Sequence, residues 1–172
     1  MTPAAKLGPS IKRGKSAQDI ATPWEFIKTV EARFGSLQVD LAATASNAKA
    51  PFWIAPEEDS LTVPWHKFND GLLWLNPPFD PVGPWIEKCV AEAKLGAHIL
   101  LLTRSGLGTN WWWSNISEHG EFAMIPSHII TYQLTPRVKF EGSKDVYPAD
   151  LMLTTFNVGH WDSSWLRRWK WR

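Results

Sequence analysis

Residues 72–79 read Leu-Leu-Trp-Leu-Asn-Pro-Pro-Phe, and this stretch constrains the fold more tightly than any other. Four apolar residues of strand length run into Asn76, where two successive prolines fix φ and remove backbone donors, so the strand cannot continue. The chain is therefore expected to bury a strand at Leu72–Leu75 and to carry a rigid turn at its carboxyl end. That is where open α/β sheets bind ligands. The turn also suits a particular chemistry, methyl transfer to an exocyclic amine on a planar ring. Such an amine is a poor nucleophile because its lone pair is delocalised into the ring. The Asn76 side-chain oxygen and the Pro77 carbonyl would accept its N–H groups and draw the nitrogen towards tetrahedral geometry. Pro78 holds the turn, and Phe79 offers a face on which the ring can stack. A Pro-Pro loop that merely closes a strand is the competing reading.

The 172 residues suffice for one domain with its own core. A single cysteine, Cys89, excludes a disulfide framework. The five histidines are scattered and no Cys/His cluster has zinc spacing, so no metal is expected. No stretch has the pattern of a signal peptide or a membrane span, which gives a cytoplasmic expectation. Charge is unevenly placed. Residues 1–22 hold four bases and one acid, and residues 137–172 hold seven bases and four acids, whereas the stretch between them is acidic. Basic ends suit a polyanion, and equally serve solubility. Twelve tryptophans have no explanation in fold class alone.

Residues 1–21 lack an apolar period and read as a flexible basic arm. Structure is expected to begin at Thr22-Pro23-Trp24-Glu25, which has the form of a capping box with proline at the first helical position. Ile27, Val30 and Phe34 make the apolar stripe and Gly35 the stop. A short strand over 37–41 carries Asp40, and a loop-like stretch over 42–67 includes a candidate strand at 52–54. After the proline turn, Pro84 opens a helix that Gly96 closes, and 98–102 is an apolar strand. A helix over 110–117 carries Trp111, Trp112 and Trp113, which either pack in the core or stack on bases. Strands and hairpins follow over 121–158, clearest at 151–156. Asp162 or Ser163 is expected to cap a final helix rich in Trp and Arg. Alternating strands and helices argue an α/β fold in three layers. The expected organisation is an arm at 1–21, a catalytic domain at 22–158 and a C-terminal segment at 159–172.

In this order and at these spacings, several motifs together resemble the phage-type (Dam-like) DNA adenine-N6 methyltransferases. They are Thr22-Pro23, Asp40-Leu41-Ala42-Ala43, Asn47-Ala48-Lys49, Asp59-Ser60-Leu61 with Trp65, Asn76-Pro77-Pro78-Phe79, Trp85-Ile86-Glu87-Lys88 and Arg137-Val138-Lys139-Phe140. The resemblance runs from Thr22 to about Phe156. It implies a Rossmann-like S-adenosylmethionine-dependent methyltransferase with a three-layer α/β/α sheet, acting on N6 of adenine in DNA without a metal. Asn76, Pro77, Pro78 and Phe79 would be catalytic. Thr22, Pro23, Asp40, Ala42, Ala43 and Asp59 would bind the cofactor, with Thr22 and Pro23 at its methionine end. Asp40 would lie near the amino-acid moiety, and Asp59 would accept from the adenine amine or a neighbouring polar group. Arg104, Arg137 and Lys139 would meet DNA, and a monomer is expected. The chain departs from many methyltransferases in having no glycine after Asp40. S-adenosylmethionine has no pyrophosphate, so the backbone need not approach as closely as in dinucleotide sites. Thr103-Arg104-Ser105-Gly106 fits the family pattern only roughly. Methylation of an RNA base or a protein glutamine, or a nucleic-acid-binding module without chemistry, are the rival readings.

Overall fold

The computed structural model describes residues 21–68, 71–115, 129–158 and 166–172. In chain order these form α1 (Trp24–Phe34), β1 (Leu37–Asp40), β2 (Phe52–Trp53), single 3-10 turns at Pro56–Glu58 and Trp65–Lys67, β3 (Leu72–Leu75), α2 (Gly83–Lys94), β4 (Ile99–Arg104), α3 (Asn110–Asn115), β5 (Ile129–Thr135), β6 (Leu151–Phe156) and β7 (Leu166–Lys170). The strands make one seven-stranded sheet in the order β2-β1-β3-β4-β6-β5-β7. Only β6 runs against its neighbours; every other pairing is parallel. The fold is mixed α/β. No described helix is long and apolar enough to cross a membrane.

Alternation along the strands divides the core between the two faces of the sheet. Leu73, Leu75, Ile99 and Leu101 pack with Ile86, Cys89 and Val90 of α2 and with Trp112 of α3. Trp74, Leu100 and Leu102 point the other way, onto Phe26, Ile27 and Val30 of α1. Strands buried on both sides read as unbroken apolar runs, which is why β3 and β4 are visible in the sequence. Helix α1 stops at Gly35, whose φ of 108° is open to glycine and strained for other residues.

Two expectations need correction. Thr22 does not cap α1: Pro23 occupies the N-cap position and no side chain caps the helix. The Thr22 hydroxyl is used elsewhere, as described below. The expected terminal helix is instead strand β7, parallel to β5 with Tyr132 opposite Arg167 and Leu134 opposite Trp169. Trp169 and Trp171 alternate into the α1 face, where their rings lie 5.9 and 5.1 Å from that of Phe26. Arg33 caps this aromatic cluster, 4.9 Å from the Tyr132 ring centroid and 5.1 Å from that of Trp169. Part of the tryptophan excess is thereby explained, since Trp65, Trp74, Trp112, Trp169 and Trp171 are all buried. The expectations for residues 1–20, 116–128 and 159–165, including a cap at Asp162 or Ser163, lie outside the described residues.

Candidate active site

The chain leaves β1 towards β2 on one side, while the chain leaving β3 turns back through α2 to β4 on the other. The crevice between the carboxyl ends of β1 and β3 is thus the switch point of the sheet. Asp40 ends β1 and Asn76 follows β3 there, with Asp40 paired to Trp74 in register. Asn76 is half-buried, and its Nδ2 donates to Thr22 Oγ1 at 3.2 Å. Thr22 is itself buried, so a residue 54 positions earlier holds the amide. At the far end of the turn, Arg104 Nη2 donates to the Phe79 carbonyl at 3.0 Å. Its guanidinium lies 5.7 Å from the Phe79 ring centroid, and Tyr147 meets the ring edge-on at 5.7 Å.

The turn separates two cavities. One, of about 260 Å³, is lined by Ala42, Ala43, Ile54, Asp59, Asn76, Pro78 and Trp85, among others. Its volume approaches the lower end of small-molecule sites, roughly 300–1,000 Å³. The other, of about 350 Å³, is lined by Phe79, Thr103, Arg104, Ser105, Gly106 and Trp111, among others. A third, of only about 20 Å³, opens among Thr22, Asp40, Lys49, Trp74 and Asn76 and shares Ala42, Ala43, Asn47 and Asn76 with the first.

Asp40 is 3% exposed. One carboxylate oxygen accepts from the Lys49 N–H at 3.0 Å and the other from the Ala42 N–H at 3.3 Å. The side chain therefore staples the loop over 41–49 to the end of β1. Burial pushes its carboxyl up to about 6, against the lowering effect of those two N–H groups and of the Lys49 charge. Asn47 supports the same loop by accepting from the Thr44 N–H at 2.7 Å. The Lys49 ammonium is buried, 3.0 Å from Glu141 and 4.6 Å from the Trp24 ring centroid. Asp59 is exposed at the rim of the 260 Å³ cavity with φ 45°, a left-handed conformation that Asp tolerates better than most residues.

This donor set fits a small molecule carrying an amino acid and an aromatic base. Trp74 is fully buried, and its Nε1 has no hydrogen-bond partner among the described residues; the side chain lines the small cavity beside Asp40. An indole N–H left unsatisfied there costs stability unless a ligand or solvent accepts from it. A carboxylate would accept from it, and the Asp40 carboxylate suits the adjoining ammonium. Ile54, Pro56 and Trp85 give the larger cavity an apolar slot for a base.

A family model described as DNA N-6-adenine-methyltransferase (Dam) matches residues 12–150. The chain belongs to this family. It is 27% identical over 121 residues to the DNA N-6-adenine-methyltransferase of Haemophilus phage HP1 (strain HP1c1), which covers 69% of this chain and 68% of that protein. It is also 28% identical over 91 residues to the DNA N-6-adenine-methyltransferase of Escherichia phage T1, covering 53% of this chain and 37% of that relative.

Within this Dam-family chain, the residues expected to bind DNA separate. Arg104, exposed at the end of β4, donates to the Phe79 carbonyl of the turn. Arg137 and Lys139 are exposed, alternating with the buried Val138 and Phe140. Arg137 Nε donates to Asp150 at 2.8 Å. The tryptophan triplet divides, with Trp112 buried in the core and Trp111 lining the Phe79-side cavity. Two residues without an expected role are also brought to the site. Trp85 lines the 260 Å³ cavity, and Trp74 lines the small one. Trp74 sits within an apolar run, where its polar edge leaves no periodic signal.

Proposed function

We propose that this protein transfers the methyl group of S-adenosylmethionine to N6 of adenine in DNA. The observation that carries the reading is the Asn76–Phe79 turn standing between two cavities at the switch point of the sheet. The 260 Å³ cavity and its small neighbour would hold the donor, and the 350 Å³ cavity would take the flipped base. S-adenosylmethionine supplies an electrophilic methyl on a sulfonium, so neither a metal nor a covalent enzyme intermediate is needed. Rossmann-like three-layer architecture is the finer reading of the fold, with α1 on one face and α2 and α3 on the other.

The chain's own residues contribute alignment and charge stabilisation. Thr22, by accepting from Nδ2, fixes which way the Asn76 amide faces, so that Oδ1 is the atom offered to the substrate amine. The Pro77 carbonyl accepts the second N–H, and both acceptors stabilise positive charge as it grows on nitrogen. Extracting the adenine from duplex costs on the order of a few kcal/mol. Stacking on Phe79, whose ring is braced by Arg104 and Tyr147, offsets part of that. Trp74 Nε1 and Asp40 would hold the carboxylate and ammonium of the donor's methionine end. Arg137 and Lys139 would approach phosphates. The enzyme would act as a monomer in the cytoplasm of the cell whose DNA it modifies.

The test is transfer of labelled methyl from S-adenosylmethionine by the full chain, offered DNA, RNA and protein in separate reactions. Label in N6-methyladenine of DNA is expected. Label confined to RNA or to protein glutamine would overturn the substrate assignment. Donor binding without transfer to any of them would favour a binding module.

A further inference from the structure

The cavity on the Phe79 side contains a hydroxyl with no use in the fold. Thr103, near the end of β4, is 1% exposed, and its Oγ1 has no hydrogen-bond partner among the described residues. The other hydrogen-bonding side chains around the cavity are already engaged. Ser105 Oγ donates to Gln133 Oε1 at 3.0 Å, and Gln133 Nε2 donates in turn to the Leu151 carbonyl at 3.1 Å. Thr109 Oγ1 donates to the Gly106 carbonyl at 2.6 Å. Arg104 holds the Phe79 carbonyl. A buried hydroxyl left unsatisfied is costly, and valine would fill the same space without that cost.

Two further observations mark this cavity as a built site for a flat ring. The Trp111 ring packs so closely on Gly106 that a Cβ there would sit 2.1 Å from it, so this wall requires glycine. The register between β3 and β4 pairs Leu73 with Ile99 and Leu75 with Leu101. β3 ends at Leu75, and the cavity takes Phe79 from the turn that follows it together with Thr103 from the neighbouring strand β4. The buried hydroxyl and the ring on which the base would stack thus belong to one cavity.

The geometry points to Thr103 as the residue that reads the target base, its hydroxyl donating to the ring nitrogen next to the methylated amine, N1 or N7 of adenine. This rests on the proposed methylation of adenine in DNA and adds to it a hydrogen bond that holds the base by its ring. Adenine presents an acceptor on each side of C6. Guanine carries an oxygen at C6 and so offers no amine to the turn; the hydroxyl itself, which can donate or accept, adds a contact that holds adenine by a ring nitrogen. A site with a hydrogen-bonding group in place discriminates against bases that leave it unpaired.

The experiment is a double-mutant cycle between protein and DNA. Wild type, Thr103→Val and Thr103→Ser are each assayed for kcat/KM on duplexes carrying adenine, 1-deazaadenine or 7-deazaadenine at the target position. Activity of the wild type on adenine tests the underlying function separately. Thr103→Val should lose roughly three- to tenfold on adenine, the range for one neutral hydrogen bond, and Thr103→Ser should retain most activity. One of the two deaza substrates should cost the wild type a similar factor and cost Thr103→Val nothing further. Additive losses with both deaza substrates, or full activity of Thr103→Val on adenine, would overturn the assignment. Thermal melting gives a second, activity-independent readout. Thr103→Val should melt no lower than wild type; a clear drop in Tm would mean that the hydroxyl is bonded within the fold, and would overturn it as well.

Discussion

The two cavities beside the proline turn are built by different means. On the Asn76 side the loop over 41–49 satisfies itself: Asp40 accepts two of its N–H groups and Asn47 accepts a third. Most of its walls come from one stretch of sequence, with short additions from the turn and the start of α2. On the Phe79 side the walls come from the turn, from the stretch that runs from the end of β4 into α3, and from the approach to β6. Arg104 and Gly106 shape this side from positions without a local motif. The Asn76 side is thus stapled by side chains within its own loop, whereas on the Phe79 side the turn is held from the neighbouring strand by Arg104. Mutations should therefore split cleanly, affecting donor affinity on one side and turnover or base capture on the other.

The largest effect should fall on the residue at the junction of the two sides. Asn76→Ala should lower turnover by roughly a hundred- to a thousandfold, as for removal of one preorganised partner of developing charge. Calorimetric donor affinity should change little. A folded Asn76→Ala enzyme with near-normal turnover would remove Asn76 from the chemistry. On the base side, Phe79→Ala should raise KM for DNA, whereas Phe79→Tyr keeps the ring and should be tolerated. Gly106→Ala drives a methyl into the Trp111 ring; it should cost about 1–3 kcal/mol, the usual range for overpacking, and leave donor binding intact. Equal damage to donor affinity would show that the two cavities are not independent.

The donor side is best probed through pH. Asp40 titrates at about 6 in the folded chain against roughly 3.9 when unfolded. Its contribution to stability is therefore complete below the unfolded value and is lost as pH rises through about 6. A cationic methionine end beside Asp40 favours the ionised carboxylate. Donor affinity should accordingly tighten as pH rises through that range, and Asp40→Ala should weaken binding and flatten the profile. A pH-independent affinity in the wild type would confine Asp40 to stapling its loop. The smallest effects belong to the β7 region, where the basic residues differ in their surroundings. Arg168 and Lys170 are both exposed along the edge strand, whereas Arg172 pairs with Glu25 of α1. Changing Arg168 and Lys170 to Gln should reduce the salt slope of log K for DNA by ~0.9 for each phosphate that the strand no longer neutralises. Arg172→Gln should leave that slope alone.

What the sequence makes legible follows the same division. Strands β3 and β4, helices α1 and α2 and the proline turn carry local signals: apolar runs, a 3.6-residue stripe and two prolines. Asp40 is legible as a residue at the end of a strand. Thr22 has the look of a cap because Thr-Pro-x-Glu is a valid local pattern, and only the packed chain brings Asn76 to its hydroxyl. The β7 segment has the look of a helix because Arg and Trp suit a helix as well as a strand. The alternation of Trp169 and Trp171 is the available clue, but its meaning depends on pairing with β5, more than thirty residues earlier. Thr103 carries no advance sign at all. A threonine near the end of an apolar strand is ordinary, and only the engagement of its neighbours sets it apart.

The packing of Phe26 against Trp169 and Trp171 has a temporal side. During synthesis α1 emerges well before the aromatic residues that bury its inner face, and contacts of such sequence separation form slowly. Until β7 is in place, α1 has an incomplete partner. Thr22, the hydrogen-bond partner of Asn76, lies at the entry to the same helix. Burial of the inner face of α1 is in this sense vectorial, completed only by the arrival of β7.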